Sequence, residues 1–325
     1  MNPIISWMGS RRQLLAWGAA LSAEQAIGQT WPDRSIRWVV PFPAGSGTDV
    51  AARVVAQSVS IAVGQPVVID NKPGAGGSIA AMEVVRAMPD GHTFLFASSS
   101  TLAANVSLLK SMPYDPIKDL TPVAGIADSV TALVVRSNFP AQNLAEFINH
   151  VRQRPGKLNA SYGSSSTQIA LAVLSAVADL DVTAVPYKGT PLAVQDLLAG
   201  NVDFAFADLG NLMAYVRSGQ LRGLGVTSPK RSPMVDWPPI AETYANYDDI
   251  TGWIGLAGPV GLSRDITSKL GRLVQKALGS PEVRSKLATF GLSPMPMGPE
   301  QLRAFMITEV QKWARLAKAA HIQPE

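Results

Sequence analysis

From residue 36 onward, short apolar runs alternate with longer segments whose apolar positions recur every three or four residues. Ile36–Val40 is β-rich, and Asp49–Val63 then carries Val50, Val54, Val55, Val59 and Ile61 at helical spacing. Val67–Ile69 predicts a second strand and Ser78–Met88 a helix, and Pro89-Asp90-Gly91 predicts a turn before the apolar strand Thr93–Ala97. Further on, Asn143 followed by Glu146 predicts a capping box opening a helix that ends near Pro155. Thr190-Pro191 predicts an N-cap and first-turn proline for a helix closed by Gly200. Strands are predicted at Asn201–Ala207 and Leu221–Thr227, and helices near Arg264–Leu278, Pro281–Phe290 and Pro299–Ala320. This alternation predicts an α/β architecture with mostly parallel sheets. Ser228–Asp249 is rich in Pro, Asp and Ser without a period, the composition of a connection over the surface or between lobes.

Residues 1–30 have a different character. Arg11 and Arg12 precede an apolar stretch from Leu14 to Ala23, followed by the small residues Ala26 and Gly28. That order predicts a signal peptide, and the paired arginines also fit a twin-arginine signal. The stretch is too short to span a bilayer, so export to a periplasm is expected. Loss of these residues lowers the net charge from +4 to +3.

Composition narrows the chemistry. A length of 325 residues suits two domains, and 47% hydrophobic with 16% charged residues suits packed cores. Cysteine is absent, which removes disulfides, thiolate nucleophiles and metal–thiolate sites. With only His92, His150 and His321 besides, no metal or cofactor is expected. A net charge of +4, with no Lys or Arg run longer than two, leaves no basic face for nucleic acid.

Candidate chemistry concentrates in four loops after strand-like runs. These are Pro41–Asp49, containing Phe42, Ala44, Gly45, Ser46, Gly47 and Thr48; Pro73–Ser78, ending in Gly77-Ser78; Ser98-Ser99-Ser100-Thr101; and Tyr162–Thr167, containing Gly163, Ser164, Ser165 and Ser166. Open α/β sheets bind ligands at the carboxyl ends of their strands, and helix starts offer unpaired N–H groups to anions. Glycine lets the backbone approach closely, and hydroxyls add adaptable donors. Any one such loop is also what an ordinary turn or cap looks like; four at equivalent places favour a shared anion site.

Enzyme fingerprints are missing. Gly45-x-Gly47 is followed by Val50 and Gly74-x-Gly76 by Ile79, so neither completes a dinucleotide motif. Neither a phosphate-binding P-loop nor a Gly-x-Ser-x-Gly elbow occurs. Asp208, after the strand-like Phe204–Ala207, either meets a ligand donor or caps a helix starting near Asn211. Lys188 offers a positive charge but ranks below the loops.

Trp31-Pro32-Asp33 running into Ile36–Gly45 resembles the opening of the tripartite tricarboxylate transporter substrate-binding proteins, the Bug receptors. The resemblance continues through Asn71–Gly77, Pro89–Thr93, Tyr114–Pro116, Val185–Gly189, Asp196–Gly200, Trp253–Gly255 and Glu309–Trp313. It implies a type II periplasmic binding protein fold: two α/β lobes joined by a two-strand hinge, with the ligand cleft between them. Lobe 1 would hold 31–128 and 228–325, and lobe 2 would hold 129–227. The implied role is capture of a small organic carboxylate without chemistry, by a monomer that hands it to membrane permease subunits. Carried across, Phe42–Asp49 with Gly77-Ser78 and Gly163–Thr167 would pinch the carboxylate, and Ser98–Ser100 and Asp208 would meet the rest of the ligand. Ser161–Ile169 departs from the family pattern in lacking a second glycine and in having Gln168 where a histidine is usual. The alternatives are a small-acid enzyme on the same scaffold and a ligand-sensing partner of a signalling receptor.

Overall fold

The structure, a computed structural model, describes residues 31–324; the expected signal peptide lies outside the described residues. Eleven strands among the described residues form two sheets. The first sheet combines β1 (Ile36–Val40), β2 (Val67–Asn71), β3 (Thr93–Ser98) and β4 (Leu120–Ser129) with β10 (Gly252–Pro259) and β11 (Leu292–Pro294), in the order β11-β4-β10-β3-β1-β2. The second contains β5 (Thr131–Arg136), β6 (Asn159–Tyr162), β7 (Thr183–Pro186), β8 (Phe204–Asp208) and β9 (Leu221–Val226), in the order β7-β6-β8-β5-β9.

The sheets are mixed, which corrects the expectation of mostly parallel pairing. β1 lies parallel to β2 and β3, but β10 runs antiparallel to β3 and β4, and β11 antiparallel to β4. Likewise β6 is parallel to β7 and β8, while β5 is antiparallel to β8 and β9. The reversed strands β5 and β10 are those the chain enters on passing from one sheet to the other. No strand–helix–strand crossover obliges them to run parallel. The first passage is very short, because Val130 alone separates β4 from β5.

Helix starts follow local chemistry. Ser46 caps α1 (Gly47–Val63), which buries Ala51, Ala52, Val55 and Val59 and stops at Gly64 with φ +71°. The apolar side of this helix covers the face of the first sheet where Trp38 stacks on Phe96, ring centroids 5.1 Å apart. α2 spans Ser78–Val85 and α3 Asn105–Leu108. Asn143 caps α4 (Leu144–Arg152) by accepting the Glu146 N–H; Glu146 in turn accepts from the Gln142 N–H, closing the predicted box one residue further out. α5 spans Ser165–Val177. α6 (Thr190–Ala199) has Gly189 rather than Thr190 at its N-cap, since the Thr190 hydroxyl is bonded elsewhere. α7 (Leu209–Arg217) begins two residues before the expected Asn211. α8 (Arg264–Gly279), α9 (Pro281–Ala288) and α10 (Pro299–Ala319) complete the chain.

Two segments tie the sheets together. α10 packs on β4 of the first sheet and on α5 beside the second, with Trp313 fully buried. Residues 228–250 return along the second sheet: Val226 bridges Pro239, and the Tyr247 hydroxyl donates to the Ala170 carbonyl at 3.2 Å.

Candidate functional site

Three of the four predicted loops, those after β1, β3 and β6, converge on a small cavity between the sheets. The first sheet contributes Phe42, Ser46, Gly47 and Thr48, then Ser98, Ser99 and Ser100, together with Ser129, Gly252, Trp253 and Ile254. The second contributes Ser164, Ser166, Thr190 and Asp208. Phe42 and Ser164 also border an outer chamber of about 290 Å³, whose walls include Gly74–Gly77, Asn105, Gly163, Ser165, Gln168, Tyr187 and Lys188. The two sides touch around these chambers. Ser165 donates its N–H to Ser100 Oγ at 3.2 Å and its hydroxyl to Asn105 Oδ1 at 2.6 Å.

The start of α1 leaves two amides open to the cavity. Ser46 Oγ accepts the Asp49 N–H, and the Ser46 carbonyl accepts that of Val50. The N–H groups of Gly47 and Thr48 therefore have no intrahelical acceptor, and both residues line the inner chamber. Asp49 itself serves the loop rather than the cavity. Its carboxylate accepts from the Gly45 N–H at 3.0 Å, from Arg53 at 3.0–3.1 Å and from Asn71 at 2.9 Å. Burial alone would raise this carboxyl, but the bonds from Arg53, Gly45 and Asn71 together hold it below the usual carboxylate range.

The start of α5 is more self-contained than the sequence suggested. Thr167 Oγ1 accepts the N–H groups of Gly163 and Ser164, and Ser164 Oγ accepts that of Thr167. With the Ser165 N–H on Ser100 and the Gln168 N–H on Ser164, the Ser166 amide is the one left without an intrahelical acceptor.

Asp208 takes the N-cap position of α7, with no capping bond from its side chain. Its carboxylate instead accepts from the Ser129 hydroxyl at 3.2 Å, the Thr131 hydroxyl at 3.4 Å and the Thr190 hydroxyl at 3.1 Å. Burial pushes this carboxyl above its ordinary range, against the smaller opposing pull of the Thr190, Ser129 and Thr131 hydroxyls. On the first-sheet side, the buried Ser98 Oγ has no hydrogen-bond partner among the described residues.

Of the predicted site residues, Phe42, Ser46, Gly47, Thr48, Ser98, Ser99, Ser100, Ser164, Ser166 and Asp208 meet in the inner chamber. Gly77, Gly163 and Ser165 border the outer one. Gly45, Asp49 and Thr167 lie behind these walls and shape the turns. Ala44 lines neither chamber, and Ser78 faces an outer groove with Ile79, Met82 and Arg86. Sequence reasoning missed Ser129, Gly252, Trp253 and Ile254, which sit on sheet strands, and Thr190, which was assigned to a cap. It also passed over Gln168, Tyr187 and Lys188 as a group, although the last two stand in a quoted motif. Among the described residues no cluster suited to a metal ion occurs, and no helix is long and apolar enough to cross a membrane.

The profile of the tripartite tricarboxylate transporter family receptor matches residues 51–322. BugT of Bordetella pertussis is 34% identical over 295 residues, covering 89% of this chain and 90% of BugT. A protein of Pseudomonas sp. (strain P51), described from the tcbD-tcbE intergenic region, is 33% identical over 322 residues, covering 97% of this chain and 95% of that protein. An R. palustris protein solved with adipate superposes with a TM-score of 0.88 at 33% identity, covering 91% of this chain and 100% of that one. MatC from Rhodopseudomonas palustris with bound malate gives 0.83 at 32% identity, covering 88% and 99%. The chain therefore belongs to the tripartite tricarboxylate transporter receptor family, the two-lobed periplasmic solute-binding proteins that include the Bug receptors.

Proposed function

We propose that this protein is exported and, as a monomer, captures a small organic carboxylate by closing its two lobes, then delivers it to membrane permease subunits of a tripartite tricarboxylate-type transporter. The observation that carries this reading is the inner chamber, where the open amides of Gly47 and Thr48 meet hydroxyls from both sheets around one space. Adipate and malate, held by two solved relatives, are small organic acids of the class proposed here. The Phe42 and Ser46–Thr48 segment, with Ser166 opposite, would hold the carboxylate, and Ser98–Ser100 and Asp208 would meet the remainder. The lobes would comprise 31–128 with 228–325, and 129–227, and β4–β5 with the return into β10 would form the hinge. Capture is read as proceeding without chemistry, with Asp208, the chamber's one titratable side chain, engaged by three neutral hydroxyls.

Two measurements test the reading. Mass spectrometry of the molecule released from protein purified out of the periplasm should find a carboxylic acid. Thermal unfolding against a panel of acids and neutral sugars should show stabilisation by an acid, about 2.7 kcal/mol at a hundredfold excess over Kd. Stabilisation by sugars and by no carboxylate would overturn it.

A further inference from the structure

Asp208 is the one ionisable side chain in the inner chamber wall, and neither lysine, arginine nor histidine accompanies it. It remains half-buried, with its accessible part on the chamber. Its carboxylate is met by the hydroxyls of Ser129, Thr131 and Thr190 and by a backbone N–H. Because those donors are neutral, they leave the negative charge uncancelled. The buried Ser98 hydroxyl, unpartnered on the other side, adds a second polar group awaiting a ligand.

A plain carboxylate brings only acceptors and further negative charge to this wall. Its anionic end is served by the start of α1, but nothing on its chain can satisfy Asp208. An acid that also carries an ammonium or hydroxyl group answers both ends of the chamber.

We propose that Asp208 is the specificity-determining residue of the cleft, accepting a hydrogen bond from an N–H or O–H donor on the ligand, so that amino- or hydroxy-substituted carboxylates are preferred to plain ones of equal length. The proposal rests on the carboxylate-capture reading above. It also accounts for the burial of an acid inside a receptor for acids: the ligand's own donor completes its coordination. Burial raises the Asp208 carboxyl, and a donor on a bound ligand would oppose that rise.

The test is calorimetry at pH 8 on ligand-free protein with two matched sets: succinate, malate and aspartate, then adipate, 2-hydroxyadipate and 2-aminoadipate. In at least one set, the hydroxy or amino acid should bind wild type at least tenfold more tightly than the plain acid. Which of the two wins identifies the donor. In Asp208→Asn, shown to be folded by its unfolding midpoint, that ratio should fall below about threefold. The proposal is overturned if the plain acid binds wild type as tightly in both sets, or if the folded variant keeps the ratio; the wild-type ratio needs no variant. Binding of none of the six acids also overturns it, while carboxylate capture is judged separately by the mass spectrum of the released molecule.

Discussion

The indole N–H of Trp253 donates to Glu309 Oε2 at 2.7 Å, so a residue of the C-terminal helix holds a side chain that walls the inner chamber. Trp313 donates to the same oxygen at 2.9 Å, and Lys312 Nζ lies 3.2 Å from the other. Glu309 is 4% exposed, so its removal strands two indole donors away from water. At about 1–3 kcal/mol for each unsatisfied buried group, Glu309→Ala should destabilise the protein by roughly 2–6 kcal/mol. Thermal unfolding should show a midpoint lowered by about 5 °C or more, with Glu309→Gln intermediate because its amide oxygen still accepts. An unchanged midpoint for the alanine variant would show that this bond does not brace the wall.

Gly189 offers a way to hold the lobes apart. Its φ of 171° is extended backbone that any residue adopts, so alanine brings no local strain. Its Cβ, however, would lie 2.6 Å from Cδ of Pro43, on the loop after β1. Gly189→Ala should fold normally yet close poorly. Carboxylate affinity should drop at least tenfold, and small-angle scattering should show less compaction on ligand addition than in wild type. Wild-type affinity in this variant would mean that Pro43 yields easily.

Gly47 tests the anion site itself. A Cβ there meets nothing within 4 Å, so Gly47→Val leaves the packing alone while placing methyl groups before the open amides of α1. Calorimetry should show binding weakened at least tenfold, with the unfolding midpoint within about 2 °C of wild type, the range of a neutral surface change. Retained affinity would remove this loop from the site.

The two cleft-side acids should answer pH in opposite senses. Asp208 has its folded-state pKa raised, so its stabilising contribution is complete below about pH 3.9 and is lost as pH rises through the folded value. Ligand-free Asp208→Asn should therefore melt above wild type at pH 8, by about 2 °C or more, with the gap closing in acid. Asp49 is lowered, so its contribution is present above about pH 3.9 and is lost as pH falls through its folded value. Asp49→Asn should cost about 1–3 kcal/mol at pH 7, because it breaks charged hydrogen bonds to Arg53 and Gly45. Parallel melting curves across pH for either pair would contradict the assignment.

What the sequence revealed about the site depended on whether a residue's role is local. The loops after β1, β3 and β6 were legible because glycine and hydroxyl residues between a strand and a helix have a restricted set of conformations. Gly45, Asp49 and Thr167 were legible as loop residues too, but their polar groups are consumed by the turns they build, and that accounting needs atomic positions. Ser129, Gly252 and Trp253 were illegible for the opposite reason: each lies on a strand whose place in the cleft is set by pairing between distant segments, Gly252 opposite Ser129. Thr190 carried a cap signature, but a hydroxyl at 3.1 Å from an acid 18 residues away outranks the cap. The mixed sheets had the same origin, since alternation of strand and helix says nothing about the two strands that follow a change of sheet.

The single residue between β4 and β5 makes that passage a pivot. Ser129 and Thr131 flank it and both donate to Asp208, so this corner would move least in the proposed closure. Asn105 and Ser165, which border the outer chamber and not the inner one, would travel farther in that closure and meet last. A solute entering the open molecule thus first encounters a ready-made floor. The contacts that retain it are assembled afterwards, so alterations near the pivot should govern which molecules are admitted, and alterations near the mouth how long they stay.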